Sequence, residues 1–79
     1  MNKIHPTAHI SEKAILGDNI TIGANTIIYD NVEIGNGSTI GAFCEIGVSN
    51  HLSEGKKLVL GENSTIRSHS IFYEGSIFG

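Results

Sequence analysis

Basic side chains cluster in one short part of this sequence. Of the five Lys and Arg residues, Lys56, Lys57 and Arg67 fall within twelve positions of each other. Guanidinium groups bind phosphate through paired hydrogen bonds, and ammonium groups bind it as compact charges. The cluster therefore indicates a site for a phosphate-bearing ligand. A solvated surface loop is the competing interpretation, and the residue types alone leave both open.

The four histidines are the side chains best suited to proton transfer near neutral pH. His51, next to Asn50, is as consistent with ligand contact as with solvation. His69 falls at a predicted turn, which favours a structural role. His5 and His9 are predicted to face solvent. They alone have a spacing used for metal ligands on a helix, and they are not on a helix, so we predict no metal site.

A repeat of six residues must position these side chains. A large apolar residue recurs in one frame that is interrupted once. The series is Ile4, Ile10, Leu16, Ile22, Ile28, Ile34, Ile40 and Ile46, then Leu60, Ile66, Phe72 and Phe78. Neither the helical period of about 3.6 nor the strand period of about 2 produces this spacing. One small unit is therefore stacked many times.

Two further columns of the repeat specify turns. A small residue, most often Gly, follows the apolar residue and is predicted to serve the turn. Two positions later the sequence favours residues that tolerate positive φ. We predict positive φ at Asn19, Asn25, Asn31 and Asn63. Phe43 stands in the same column without a local explanation.

Each unit is a strand of about three residues followed by a turn, with the apolar residue pointing inward. Three units close one triangular coil, and about four coils stack about 4.8 Å apart. We predict an all-β parallel solenoid with Ile34 in its core. A β-sandwich with frequent turns would lack the fixed turn column. The spacing of fourteen between Ile46 and Leu60 predicts an inserted loop at about 48–59.

Length and composition exclude several classes. The 79 residues fit a single repeat unit, 1–79, without a second domain. The net charge of −3 without a basic stripe argues against nucleic acid as a partner. No apolar stretch predicts a signal peptide or a membrane partner. Cys44 is predicted to be a buried thiol, and these features together predict a cytoplasmic protein.

The repeat continues to Phe78 and Gly79 without a capping segment. An uncapped solenoid exposes its last core layer and an unpaired strand edge. We therefore predict that this is the N-terminal portion of a longer chain. The alternative is a short protein stabilised by oligomerisation.

The units ILGDNI, TIGANT, EIGNGS, TIGAFC and VLGENS resemble those of the hexapeptide-repeat acyltransferases. That family folds as left-handed parallel β-helices, so the resemblance implies this handedness against the usual right-handed crossover rule. The segment LVLGENSTIRSHSIFYEGSIFG resembles the branch that acylates nucleotide-linked sugars. In that branch an interrupting loop precedes an Ile-Arg coil and a strand containing Tyr or His, here Ile66, Arg67 and Tyr73.

The resemblance implies acyl transfer from a thioester, with acetyl-CoA as co-substrate and no metal cofactor. Such transfer needs a general base for the attacking group and a donor for the developing oxyanion. A histidine is the usual base in the family, and the resemblance places it beyond Gly79. The catalytic residue is therefore unknown, with His51 and His69 as weak candidates. We expect the 79-residue segment alone to be inactive.

The implied substrate is a nucleotide-linked sugar, bound in a groove shared with a neighbouring subunit. Its predicted ligands are Asn50, His51, Lys57, Arg67 and Tyr73. Lys57 and Arg67 would face the diphosphate. Asn50 or His51 would contact the sugar.

The resemblance also implies a homotrimer. Large apolar residues are predicted to point outward from one face. These are Ile27, Tyr29, Ile71 and Tyr73, which we take as the candidate interface.

We therefore predict part of an acetyltransferase that acts on the amino group of a nucleotide-linked sugar. O-acylation of a substrate of the UDP-N-acetylglucosamine type is an alternative within the class. A noncatalytic scaffold for trimerisation or sugar binding is the alternative from another class. An ice-binding solenoid would need a flat threonine array, and we predict that Thr21, Thr39 and Thr65 do not share one unbroken face.

Overall fold

Within the residues that it describes, 1–48, 56–73, 75 and 77–78, the computed structural model is a parallel β-solenoid. Its strands are β1 (Lys3–Ile4), β2 (His9–Ile10), β3 (Ile15–Leu16), β4 (Thr21–Ile22), β5 (Ile27–Ile28), β6 (Val32–Ile34), β7 (Thr39–Ile40), β8 (Glu45–Val48), β9 (Leu58–Leu60), β10 (Thr65–Ile66), β11 (Ile71–Tyr73) and β12 (Ile77–Phe78). They form a first sheet (β1-β4-β7-β10), a second sheet (β2-β5-β8-β11) and a third sheet (β3-β6-β9-β12).

The strand register stacks the apolar residues of successive coils in three columns. Ile22 pairs with Ile40 in the first sheet, and Ile34 pairs with Leu60 in the third. Ile34 is only 2% exposed, which confirms its predicted place in the core. Ile4 belongs to the same column as Ile22 but is 41% exposed, because it lies on the edge strand β1.

Small residues fill the inner corners, as predicted, and their polar groups are satisfied. Thr26 is buried and donates a hydrogen bond to the Gly41 carbonyl at 2.7 Å. Cys44 is a buried free thiol whose Sγ donates to the Arg67 carbonyl at 3.2 Å. These bonds cross from one coil to the next, so the corners help to hold the stack together.

The glycine that follows the apolar residue has a different role from the predicted one. Gly35 does not have positive φ. A Cβ at Gly35 would lie 2.6 Å from the Glu62 backbone nitrogen and 2.7 Å from the Gly61 carbonyl carbon. Glycine is needed here because two coils approach closely, so the prediction that it serves the turn is wrong at this position.

The predicted turn column is confirmed at Asn19, Asn25 and Asn63, whose φ angles are 59°, 55° and 58°. Phe43 and His69 adopt the same conformation, with φ of 57° and 64°. This conformation is unusual for a bulky residue, so the turn geometry of the solenoid overrides the local preference of Phe43.

Asn31 does not have positive φ, and the prediction for this residue is wrong. In the next coil the repeat is interrupted between β8 and β9, and the Asn31 carbonyl accepts a hydrogen bond from the Leu58 backbone N–H at 2.7 Å. Positive φ occurs instead at Gly47, with φ of 89°. The turn at Asn31 therefore departs from the column in the coil that precedes the interruption.

The prediction that the three threonines do not share one unbroken face is also wrong, although they do not form a flat array. Thr21, Thr39 and Thr65 pair in register along the first sheet, and all three are exposed. They form one column, because each coil contributes one threonine to this face. The next outward position along each strand holds Gly23, Gly41 or Arg67, so no second threonine column completes a flat array.

Candidate functional site

The interruption in the repeat lies between β8 of the second sheet and β9 of the third. We call this edge of the prism the second corner, and its described residues are 11–14, 29–31, 56–57, 73 and 75. The predicted ligands Asn50 and His51 lie outside the described residues. Lys57 and Tyr73 are at this corner, so the structure brings two of the five predicted ligands to one edge of the prism.

Lys57 turns toward the third sheet. Its Nζ lies 3.7 Å from Glu33 Oε2, and both side chains are about half exposed, at 55% and 43%. An exposed pair at this distance contributes little stability, because water screens it and two long side chains must be ordered. The Lys57 ammonium therefore remains available to an anionic ligand.

Tyr73 ends β11 on the second sheet and is 52% exposed. The register of β11 on β8 shifts between Phe72 and Tyr73, so that Tyr73 pairs with Val48. This shift places Tyr73 beside the start of the inserted segment. A half-exposed phenol at the edge of a loop can donate and accept hydrogen bonds.

Arg67 lies at a different corner from Lys57 and Tyr73. It follows β10 of the first sheet and is exposed, at the edge where the chain turns into the second sheet. We call this edge the first corner, residues 5–8, 23–26, 41–44 and 67–70. One chain therefore does not place Arg67 and Lys57 at a common corner.

His69 stacks on Phe43 at the first corner. The ring centroids are 5.2 Å apart and the planes differ by 2°. The contact supports the predicted structural role of His69 and explains why an aromatic residue occupies the turn column at Phe43. The signal for this pair was present in the sequence, because both residues hold the same turn position in coils that the strand pairing stacks directly.

A second polar pair at the second corner escaped the sequence analysis. The Tyr29 hydroxyl donates to Glu45 Oε1 at 2.9 Å. This hydrogen bond, followed by burial and the charge of Glu45, raises the pKa of Tyr29 above its ordinary value of 10.0. Next to it, the Ser11 hydroxyl donates to Asp30 Oδ1. The spacing of Tyr29 and Glu45 gave no signal, since sixteen residues separate them.

The predicted interface residues share the second sheet. Ile27 and Ile71 pair in register on either side of Glu45, and Ile71 is 55% exposed. Tyr29 and Tyr73 stand at the other edge of this face, next to the second corner. The outward column of this face therefore alternates polar and apolar residues, His9, Ile27, Glu45 and Ile71, and Glu45 accepts the hydrogen bond from Tyr29.

The described residues also bear on metal sites and on membrane-spanning segments. No three His, Cys, Asp or Glu side chains among them come together as a group that could hold a metal ion. Within the same ranges, the chain forms no helix with the length and apolar character to cross a membrane.

The chain is similar in sequence to known proteins. The family model for the bacterial transferase hexapeptide (six repeats) matches residues 13–47. Over its whole length, in an alignment of 101 residues, the chain is 42% identical to a protein of Aliarcobacter butzleri (strain RM4018). That relative is the acyl-[acyl-carrier-protein]–UDP-N-acetylglucosamine O-acyltransferase, and the chain spans 39% of its length. No solved structure matches the chain significantly.

Proposed function

Because this chain belongs to the bacterial transferase hexapeptide family and has its left-handed parallel β-helix fold, we propose that it is part of an acyltransferase acting on a nucleotide-linked sugar. The similarity to the UDP-N-acetylglucosamine O-acyltransferase, which covers every residue of the chain, carries the proposal. The second corner, with its insertion and basic side chains, supports it.

The reaction class is transfer of an acyl group from a thioester to a sugar hydroxyl. The hydroxyl oxygen attacks the thioester carbonyl while a general base takes its proton, and the sulfur leaves as a thiol once it is protonated. The relative's name favours an acyl carrier protein as the donor and O-acylation as the outcome. N-acetylation by acetyl-CoA is the second candidate, and the Ile66, Arg67 and Tyr73 pattern is shared by both kinds of enzyme. His69 packs on Phe43, so we leave the base unassigned.

The proposed ligand contacts are divided between two corners of the prism. Lys57 and Tyr73 of one copy contact the nucleotide-linked sugar at the second corner. Arg67 contributes its charge from a neighbouring copy in a homotrimer, since it lies at another corner of its own chain. Asn50 and His51 are proposed to contact the sugar. We propose a cytoplasmic location, which the buried free thiol of Cys44 supports.

Acyl transfer by the full natural protein tests the function. Acyl-loaded carrier protein with UDP-N-acetylglucosamine should give an O-acyl product. Acetyl-CoA with UDP-linked amino sugars tests the second candidate. If neither donor gives turnover and no nucleotide sugar binds, the protein is a scaffold of the noncatalytic class. The 79-residue segment alone should show no turnover.

Two adjacent lysines offer a matched pair of variants for the binding site. Lys57→Ala should weaken binding of the nucleotide sugar about tenfold, because a charge-assisted hydrogen bond to phosphate is lost. Lys56→Ala removes the same charge one position earlier and should change binding by about twofold at most. Isothermal titration of both variants measures the difference. If both variants lose the same binding affinity, the effect is one of overall charge and Lys57 does not contact the nucleotide sugar.

A further inference from the structure

We propose that Asn36 and Gly37 form a spontaneous modification site, at which the Asn36 side chain deamidates through a cyclic imide when the third corner of the prism opens. The third corner comprises residues 17–20, 35–38 and 61–64. Asn36 is the only asparagine in the chain that a glycine follows. Glycine has no Cβ to shield its amide nitrogen and reaches backbone conformations closed to other residues, so it permits an attack that other neighbours hinder.

The reaction needs only water and a base of the buffer. The Gly37 backbone nitrogen loses its proton to the base and attacks Asn36 Cγ, and the side-chain nitrogen takes up a proton and leaves as ammonia. Water then opens the imide ring at either carbonyl. One opening gives an aspartate at this position. The other gives an isoaspartate, in which the main chain runs through the former side-chain carbonyl.

Asp18 engages both reacting groups while the corner is closed. Asn36 Oδ1 accepts a hydrogen bond from the Asp18 backbone N–H at 2.8 Å, which ties the amide to the preceding coil. The Gly37 N–H donates to the Asp18 carbonyl at 2.9 Å, which occupies the hydrogen that must leave. Both bonds must break before the Gly37 nitrogen can reach Asn36 Cγ. The closed corner therefore protects the dipeptide.

The following coil covers the dipeptide from the other side. The Asn63 backbone N–H donates to the Asn36 carbonyl at 2.8 Å. A Cβ at Gly37 would collide with Asn63 Oδ1, so the Asn63 side chain lies against the Gly37 backbone. The Asn36 side chain itself is exposed, so water already reaches it. Separation of the coils at this corner, rather than access of water, therefore limits the reaction.

Modification would prevent the corner from closing as before. The strand register stacks Asn36 between Asp18 and Glu62, and all three side chains are exposed. A new carboxylate at this position would join theirs in one column, where like charges repel. An isoaspartate would also lengthen the main chain by one carbon and move the carbonyl that the Asn63 N–H binds. Deamidation at this site is therefore a permanent record that the corner has opened.

Peptide mapping by mass spectrometry tests the proposal on the full natural protein, incubated in alkaline buffer with and without urea. Conversion of Asn36 should be at least about tenfold slower in the folded protein than in urea, because opening must precede attack. Asn63, which Ser64 follows, is the internal control at the same corner and should convert more slowly than Asn36 in urea. Equal rates for Asn36 with and without urea would overturn its protection by Asp18. Absence of conversion in urea would overturn the site itself.

A matched pair of variants separates local opening from global unfolding. Asn63→Gly removes the side chain that lies against Gly37 and suits the φ of 58° at this position. Conversion of Asn36 in the folded variant should rise several-fold, whereas Asn25→Gly, the same change at the first corner, should leave the rate unchanged. Urea unfolding of both variants should give the wild-type stability. If folded Asn63→Gly converts at the wild-type rate, opening of this corner does not control the reaction and the proposal is wrong.

Discussion

The third and second corners of this prism are built from the same repeat, yet only one of them is regular. At the third corner, positive φ recurs at Asn19, Gly37 and Asn63. Backbone bonds tie these turns together, from Gly37 to the Asp18 carbonyl at 2.9 Å and from Asn63 to the Asn36 carbonyl at 2.8 Å.

The second corner has positive φ at Gly75 but not throughout this column. Asn31 does not have positive φ, Gly47 does, and the insertion follows. The regular corner serves the stacking of coils, because every residue there repeats a structural role. The irregular corner is where the sequence is free to present other side chains, including Lys57 and Tyr73.

Strand β6 links the two corners, and Ile34→Ala in this strand should have the largest effect on stability. Ile34 is buried in the third column, and its truncation should cost about 2–5 kcal/mol of the free energy of unfolding through lost burial and a cavity. Urea unfolding measures the loss. Glu33→Ala, the outward neighbour, removes only a half-exposed ion pair and should cost less than about 1 kcal/mol. Similar losses for the two variants would mean that Ile34 is not a core residue.

Gly47→Ala should destabilise β8, the strand that leads into the second corner. A Cβ at Gly47 would lie 2.3 Å from Val32 Cγ2 in the core, and φ is 89°. Left-handed strain and overpacking together should cost about 2–4 kcal/mol. Gly37→Ala is the matched change at the third corner, where φ is 75° and a Cβ would meet the movable end of Asn63. Thermal unfolding should show a smaller loss for Gly37→Ala, and the reverse order would contradict this account of Gly47.

The sequence predicted the solenoid because each stacked column depends on residue type alone. The column that contains Ile34 predicts burial, and the column that contains Asn63 predicts the turn conformation. The conformation of Asn31 could not be predicted, because its carbonyl pairs with Leu58 of the next coil, beyond the interruption in the repeat. The pairing of Tyr29 with Glu45 depends on how two coils align, which only the register fixes.

The candidate site was less predictable than the fold for a related reason. Lys57 and Arg67 are close in sequence, and proximity in the chain suggested a common ligand. In a solenoid, ten residues carry the chain around more than one corner, so neighbours in sequence point in different directions. The columns that run along the stack, such as Phe43 with His69, are the true neighbours.

Asn63→Val should have an intermediate effect that tests the regular turn. A β-branched residue at φ of 58° should cost about 1–2 kcal/mol, because its Cβ clashes with the backbone in the left-handed region. Asn63→Gly should be nearly neutral. Asn31→Val at the second corner should not incur the left-handed strain. If Asn63→Val unfolds at the same urea concentration as wild type, this strain does not limit stability at the turn.

Tyr29→Phe should have the smallest effect and sharpens the comparison through its pH dependence. Loss of the hydrogen bond to Glu45 should cost about 0.5–1.5 kcal/mol. Folding raises the pKa of Tyr29 above 10.0, so the folded state holds its proton more tightly than the unfolded state. The stabilisation is therefore complete below pH 10.0 and is lost as the pH rises through the folded pKa. The difference in unfolding free energy between wild type and Tyr29→Phe should shrink accordingly in alkaline buffer. Tyr73→Phe removes the hydroxyl of a half-exposed tyrosine and should leave the unfolding free energy unchanged in neutral and in alkaline buffer. If the difference in unfolding free energy between wild type and Tyr29→Phe persists above the folded pKa, the substitution acts through packing.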